Sequence, residues 1–296
     1  MFSGSLVALV TPFTGDNTID YVSLKRLIDF HVEQGSDGLV IAGTTGESAT
    51  LSRSEHIELI SRAVEIADGR LPIIAGTGSN STAQTVDLSK SVETAGIEAY
   101  LIVVPYYNKP EQEGIYRHFS VIADAASKPV MMYNVPGRTV ADMLPETVSR
   151  LSEHDNIFGI KEATGDLDRL RAIQDCVSSE FRLYSGDDFT LRPFIEQGGH
   201  GVVTVSGNVA PSQVATLCRL AAKGKAAEAK TLDDSLQALN TALFVESNPI
   251  PVKWALSEMG LMEGNIRLPL TAYSAQHHDN MRAALVAAGV ALETIA

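Results

Sequence analysis

The sequence predicts an α/β protein folded as a (β/α)8 or TIM barrel with a helical C-terminal extension. Three observations predict it. Eight short apolar runs recur, at residues 6–10, 38–42, 72–75, 99–104, 129–133, 157–160, 181–184 and 201–205. Their starts lie roughly 20–35 residues apart, the length of a strand plus a crossover helix. The runs are near-continuous instead of alternating, as parallel strands buried on both faces should be. A doubly wound open sheet is the competing arrangement. The count of eight favours the barrel, as does the lack of a Gly-x-Gly-x-x-Gly turn after the first run. A chain of 296 residues is also the right length for one barrel.

The stretches between the runs read as helices. Asp20 is placed to cap a helix that carries Leu24, Leu27, Ile28 and Val32 on one stripe, and Gly35 to end it. Ser52-Arg53-Ser54-Glu55 has the form of a capping box, followed by Ile57, Ile60 and Val64. Asp166 precedes Leu167, Leu170 and Ile173 at helical spacing. Pro211 suits the first turn of a helix running to about Ala222. Beyond it come an Ala- and Leu-rich stretch at 221–240, an apolar segment at 252–259 and a last helix near 280–288. These read as the eighth barrel helix and the extension. They divide the chain into a catalytic barrel, residues 1–224, and an extension, residues 225–296, with no low-complexity linker between.

Lys plus Arg number 23 and Asp plus Glu 36, a net charge of −13. An acidic chain without a run of basic residues repels polyanions, which argues against nucleic acid and anionic membrane as partners. The two cysteines, Cys176 and Cys218, make neither a disulfide framework nor a metal knuckle. The first residues carry no basic n-region, run 6–10 is too short for a signal core, and no apolar run approaches a membrane span. A soluble cytoplasmic protein is the expectation.

A barrel carries its site at the C-terminal ends of its strands. There the sequence sets Gly43-Thr44-Thr45-Gly46-Glu47-Ser48 after run two and Pro105-Tyr106-Tyr107-Asn108 after run four. Tyr133-Asn134 and Arg138 follow at run five, Lys161-Glu162 at run six and Ser185-Gly186-Asp187-Asp188 at run seven; Val202, Val203 and Thr204 belong to run eight. Lys161 closes an apolar strand. Burying an amine favours its neutral form, which attacks carbonyls to give Schiff bases; the ordinary alternative is a lysine snorkelling from a strand end. Tyr133 could exchange protons at an imine, or simply pack. Tyr107 could extend a proton relay, or be a surface aromatic. Arg138 could take a carboxylate bidentately, or form a surface ion pair. The Gly-Thr-Thr-Gly turn offers N–H groups and hydroxyls to a small anion, or is an ordinary turn. Residues 76–80 form a second glycine-rich turn, without the lysine of a phosphate loop. The seven histidines show no metal-ligand spacing, and His277-His278 reads as a solvated helix face.

Taken together, Gly43-Thr44-Thr45-Gly46-Glu47, Tyr133-Asn134-Val135-Pro136-Gly137-Arg138-Thr139 and Gly159-Ile160-Lys161-Glu162-Ala163 resemble the pyruvate-dependent Schiff-base lyases. Within that superfamily the chain is most similar to the dihydrodipicolinate synthases, and the likeness runs from about Leu6 to the C-terminal helices. Arg138 after Pro-Gly is more particular to these synthases than to the N-acetylneuraminate lyases. The resemblance implies that Lys161 forms an imine with pyruvate and that the enamine attacks L-aspartate 4-semialdehyde. It implies Thr44 and Thr45 at the pyruvate carboxylate, with backbone help near Gly186 and Val203, where the family often has isoleucine. Arg138 would hold the aldehyde's carboxylate, Tyr133 would donate and accept protons, and Thr44 and Tyr107 would complete a relay. Tyr107 would come from the neighbouring subunit of a homotetramer built from two tight dimers. No metal or organic cofactor is implied, because the lysine supplies the electron sink. The family's lysine-inhibitor site would correspond to Ser48, Ala49, His56, Asn80, Gln84 and Tyr106. Sensitive members typically carry a carboxylate where this chain has Gln84, and often histidine where it has Arg53. A sugar-acid aldolase of the same superfamily and a non-catalytic carboxylate-binding barrel are the alternative readings.

Overall fold

The computed structural model describes residues 2–292. Eight parallel strands close into a barrel in chain order, β1 bonding to both β2 and β8. The strands are β1 (Gly4–Ala8), β2 (Gly38–Ile41), β3 (Ile73–Gly76), β4 (Ala99–Val103), β5 (Val130–Asn134), β6 (Ile157–Glu162), β7 (Arg182–Ser185) and β8 (Gly201–Thr204). In the first half they alternate with α1 (Tyr21–Gln34), α2 (Arg53–Ala67), α3 (Thr82–Val92) and α4 (Gln112–Ala125). The second half carries α5 (Pro136–Thr139), α6 (Pro145–Ser152), α7 (Leu167–Gln174), α8 (Leu191–Glu196) and α9 (Pro211–Ala222). After these come α10 (Ala226–Leu243), α11 (Ile250–Glu258) and α12 (His278–Ala287).

The caps act as the sequence indicates. The Asp20 side chain accepts from the Val22 and Ser23 amides, and Gly35 ends α1 with φ 76°. Such a cap contributes about 1 kcal/mol. Ser52 and Glu55 complete a reciprocal capping box on α2, and Asp166 caps α7. The Ala- and Leu-rich helix starts at Ala226, later than the expected 221, because Gly224, at φ 68°, sits between α9 and α10.

Two apolar layers hold the barrel. Alternate strand residues, among them Leu6, Val40, Ile74, Leu101, Met131 and Val203, fill the interior. Their neighbours Val7, Leu39, Ile73, Ile102, Met132 and Val202 pack outward on the helices. The regular alternation breaks in β6. Val130 pairs with Ile157 but Met131 pairs with Gly159, so Phe158 is an extra residue in the ladder. Phe158 faces inward between the outward-packed Ile157 and Ile160. A side chain at Gly159 would start 2.4 Å from the Arg182 carbonyl oxygen, so only glycine fits beside the irregularity.

Helices α10, α11 and α12 pack on one another, and α10 lies against α8 and α9. His277 and His278 depart from the expected solvated face. His278 stacks on Trp254 at 4.2 Å between ring centroids, and His277 stacks on Tyr273 at 5.9 Å. Aromatic rings available on the extension leave the two imidazoles only half-exposed. No helix among the described residues is long and apolar enough to cross a membrane.

Candidate active site

The ladder places Tyr133, Lys161 and Tyr184 side by side on β5, β6 and β7. With Phe158 extra in the ladder, Lys161 shares the inward phase of Tyr133 and Tyr184. Lys161 is buried, 6% exposed, and its Nζ stands 4.0 Å from the centroid of the Tyr133 ring. β6 runs on through Lys161 and Glu162, two residues past the expected apolar run, because both still pair with β5 and β7. Glu162 takes the opposite phase. Its carboxylate accepts from Asn134 Nδ2 at 3.0 Å and from the Thr164 amide at 2.8 Å. Asn134 also donates to Asp142, which pairs with Arg169 at 2.7 Å. Burial pushes the Glu162 carboxyl up, with the Asn134 and Thr164 hydrogen bonds opposing. This polar network fastens the ends of β5 and β6 together behind the lysine.

A cavity of about 480 Å³ opens above Lys161. Thr44, Thr45, Tyr133, Arg138, Lys161 and Gly186 all line it. That volume suits a small organic substrate. The sequence readings therefore converge for these six residues. Val203 lies lower, in the barrel interior and 1% exposed, and Val205 is the neighbour that reaches the cavity wall. Tyr107 is 89% exposed, holds φ 72° and is not part of the wall formed by its own chain. Residues 76–80 are occupied within the fold. His56 Nε2 donates to the Gly76 carbonyl at 2.7 Å, the Thr77 hydroxyl bonds Ser89 at 2.7 Å, and the Ser79 amide donates to Thr85 at 3.0 Å.

Gly186 is required by the lysine. A side chain there would begin 2.9 Å from Lys161 Cε and 2.6 Å from Ala163 Cβ. Gly186→Ala is expected to displace the amine and slow single-turnover imine formation about 10²-fold, with the fold retained. Far-UV circular dichroism with rapid-quench borohydride trapping checks this, and wild-type trapping rates would refute it.

The extension completes the site, and here the sequence reading was silent. Phe244, Ser247 and Asn248 line the cavity. Asn248 Nδ2 donates to the Thr45 hydroxyl at 2.9 Å, and the Asn248 carbonyl accepts from the Arg138 guanidinium at 3.3 Å. One residue thus orients both a threonine and the arginine. Farther from the cavity, Lys253 and Glu47 form an ion pair at 2.5 Å, each side chain 1% exposed. Burial lowers the Lys253 ammonium to about 8, and Glu47 opposes that shift. The one available signal was a lone lysine inside the apolar stretch Ile250-Pro251-Val252-Lys253-Trp254-Ala255-Leu256.

A second cavity, of about 540 Å³, shares Thr44, Ser48 and Arg138 with the first. Ser48, Ala49, His56 and Tyr106 line it, whereas Asn80 and Gln84 are not in its wall. The Asn80 carbonyl accepts from Asn108, and Gln84 accepts from Ser79. Arg53 is held by Asp87 at 2.7 Å.

A sequence profile of the dihydrodipicolinate synthetase family matches residues 1–288. The chain is 54% identical over 290 residues to 4-hydroxy-tetrahydrodipicolinate synthase of Ectopseudomonas mendocina, covering 98% of this chain and 99% of that one. The crystal structure of the chloride-inhibited dihydrodipicolinate synthase from Acinetobacter baumannii, complexed with pyruvate, superposes with a TM-score of 0.96. It shares 46% identity and covers 98% of this chain and 100% of its own. The synthase from Cyanidioschyzon merolae with lysine bound has a TM-score of 0.95 at 41% identity, covering 98% and 99% of the two chains. By profile, by identity across nearly its whole length and by fold, the chain belongs to the dihydrodipicolinate synthetase family.

Proposed function

We propose that the protein is a lyase that condenses pyruvate with L-aspartate 4-semialdehyde, through a Schiff base on Lys161, to give 4-hydroxy-tetrahydrodipicolinate. That reaction is the first committed step toward diaminopimelate and lysine. The observation that carries it is the buried amine of Lys161 against the Tyr133 ring, at the floor of a cavity that Thr44, Thr45 and Arg138 also line. Membership of the family favours this reading over the sugar-acid aldolase and over a barrel without catalysis.

The chemistry follows from what those groups can do. The neutral amine of Lys161 adds to the keto carbon of pyruvate, and water leaves as the imine forms. The protonated imine withdraws electrons from the adjacent methyl group, so a proton departs and an enamine remains. The enamine carbon forms the new bond to the aldehyde carbon, whose oxygen takes up a proton. Attack of the aldehyde substrate's own amine on the imine closes the ring and frees Lys161. The centroid of the Tyr133 ring lies 4.0 Å from the lysine nitrogen, which supports Tyr133 as proton donor and acceptor. Thr44 continues the relay. Thr44 and Thr45, with the backbone near Gly186, hold the pyruvate carboxylate, and Arg138 holds that of the aldehyde.

Tyr107 belongs to this relay across a subunit interface, in a homotetramer of two tight dimers. Its exposure and its place outside its own chain's cavity support donation to a partner. Tyr107→Phe is then expected to lower kcat about 10²-fold with the assembly unchanged. Steady-state kinetics with sedimentation checks this, and full activity would remove Tyr107 from the relay. The same reading assigns the enzyme to the cytoplasm.

Lysine is expected to inhibit weakly or not at all. Gln84 offers a neutral amide where sensitive relatives carry a carboxylate, and a cationic amino acid loses its counter-charge there. Micromolar inhibition by lysine in a turnover assay would overturn this.

Borohydride reduction in the presence of pyruvate, followed by peptide mass spectrometry, tests the central claim. Reduced pyruvyl adduct is expected on Lys161, and its absence ends both the synthase and the aldolase readings. Coupled turnover with aspartate semialdehyde against N-acetylmannosamine separates those two, and a preference for the sugar would reverse the choice.

A further inference from the structure

We propose that Glu47 and Lys253 are positioning residues, a buried clamp by which the C-terminal extension sets the geometry of the keto-acid-binding loop. This rests on the reading of the cavity as a pyruvate site.

Glu47 occupies a conformation that costs a side-chain-bearing residue energy, with φ 55° in the left-handed region. Turn chemistry alone would favour glycine or asparagine there. The carboxylate explains the glutamate. One oxygen accepts from Lys253 Nζ at 2.5 Å on α11, and the other accepts from the Arg267 amide at 3.1 Å. The Lys253 ammonium and the Arg267 guanidinium both lie over the Phe13 ring, at 4.3 and 4.2 Å from its centroid. Arg267 also donates to the Thr50 carbonyl at 3.0 Å and to Glu55 at 2.5 Å, which bolts it to the start of α2. The carboxylate is thus held by two segments of the extension.

The loop itself carries this constraint to the cavity. The Glu47 amide donates to the Thr44 carbonyl at 3.0 Å, and Ser48 donates to Gly43 at 3.3 Å. Fixing Glu47 therefore fixes the turn on which Thr44 and Thr45 stand. Both threonines line the cavity above Lys161, whereas Glu47 reaches only the second cavity and Lys253 neither. Asn248, just before α11, holds the Thr45 hydroxyl from the same extension. A buried ion pair is weak support for stability, since an apolar pair of similar volume often serves as well. A role in placing the two threonines accounts for its presence beside this loop.

Full-length Glu47→Gln, Lys253→Met and the double variant test the clamp. Either single change leaves a buried charge unpaired and can impair folding, whereas the double variant leaves none. Borohydride trapping at graded pyruvate concentrations gives the apparent affinity, and steady-state kinetics gives KM for each substrate. The double variant is expected to unfold cooperatively, to bind pyruvate about tenfold more weakly and to keep its KM for the aldehyde within about twofold. A double variant with wild-type pyruvate affinity overturns the clamp, because the pair then only satisfies itself. Equal rises in both KM values overturn it too. A wild-type chain that gives no adduct on Lys161 overturns the pyruvate reading itself, an outcome distinct from a normal wild-type adduct with an unmoved double variant.

Discussion

Lys161→Ala is expected to abolish the borohydride-trapped pyruvate adduct and to lower turnover on the order of 10³-fold or more. The size of the effect follows from the role. The imine is the electron sink that makes the pyruvate methyl acidic, and no neighbouring group replaces an amine. The side chain is buried, so its truncation also leaves space at the floor of the cavity. A small primary amine added in solution could occupy that space and restore a fraction of the rate. The fold should persist, because the other interior residues, with Met131, Tyr184 and Val203 among them, are untouched. Peptide mass spectrometry and steady-state kinetics are the measurements, and an adduct on another lysine would move the nucleophile elsewhere.

Tyr133→Phe is expected to lower kcat by about 10²–10³-fold while changing stability little. The ring stays, and with it the packing in the barrel interior and the contact with the Lys161 amine 4.0 Å from its centroid. Only the hydroxyl is lost. If that hydroxyl moves protons at the imine and at the new alcohol, both half-reactions slow, and trapping kinetics will lag along with turnover. If Tyr133 serves only as packing, the variant will match the wild type in both. Measuring imine formation in single turnover beside overall turnover tells the two apart.

Much of this was legible in the chain. The eight apolar runs give the barrel because parallel strands covered on both faces must be apolar on both, and that composition is visible residue by residue. Helix ends were legible where one side chain decides them, as at Asp20, Gly35 and the Ser52-Glu55 box. The candidate site was legible as a set of chemical types at strand ends, because a barrel gathers all its strand ends at one rim. The pair His277 and His278 was misjudged for the opposite reason. Whether a helix-end imidazole meets water or Trp254 depends on residues far away in the chain.

What the sequence by itself determined is the fold class and the gathering of Thr44, Thr45, Tyr133, Arg138 and Lys161 at one rim of the barrel. What only the tertiary structure decided is orientation and support. Strict alternation in β6 would set Lys161 on the face opposite Phe158, with Ile157 and out of the barrel interior. The one-residue slip at Phe158 and Gly159 reverses this and puts the amine beside Tyr133. Gly159 inside the apolar run marks where a slip is tolerated; whether it occurs is settled by what the neighbouring strands offer to pair with. In the same way, Asn248, Lys253 and Arg267 reach Thr45 and Glu47 across about two hundred residues of chain. Local propensity carries no trace of such contacts, because closing the barrel and docking the extension are what bring them within reach.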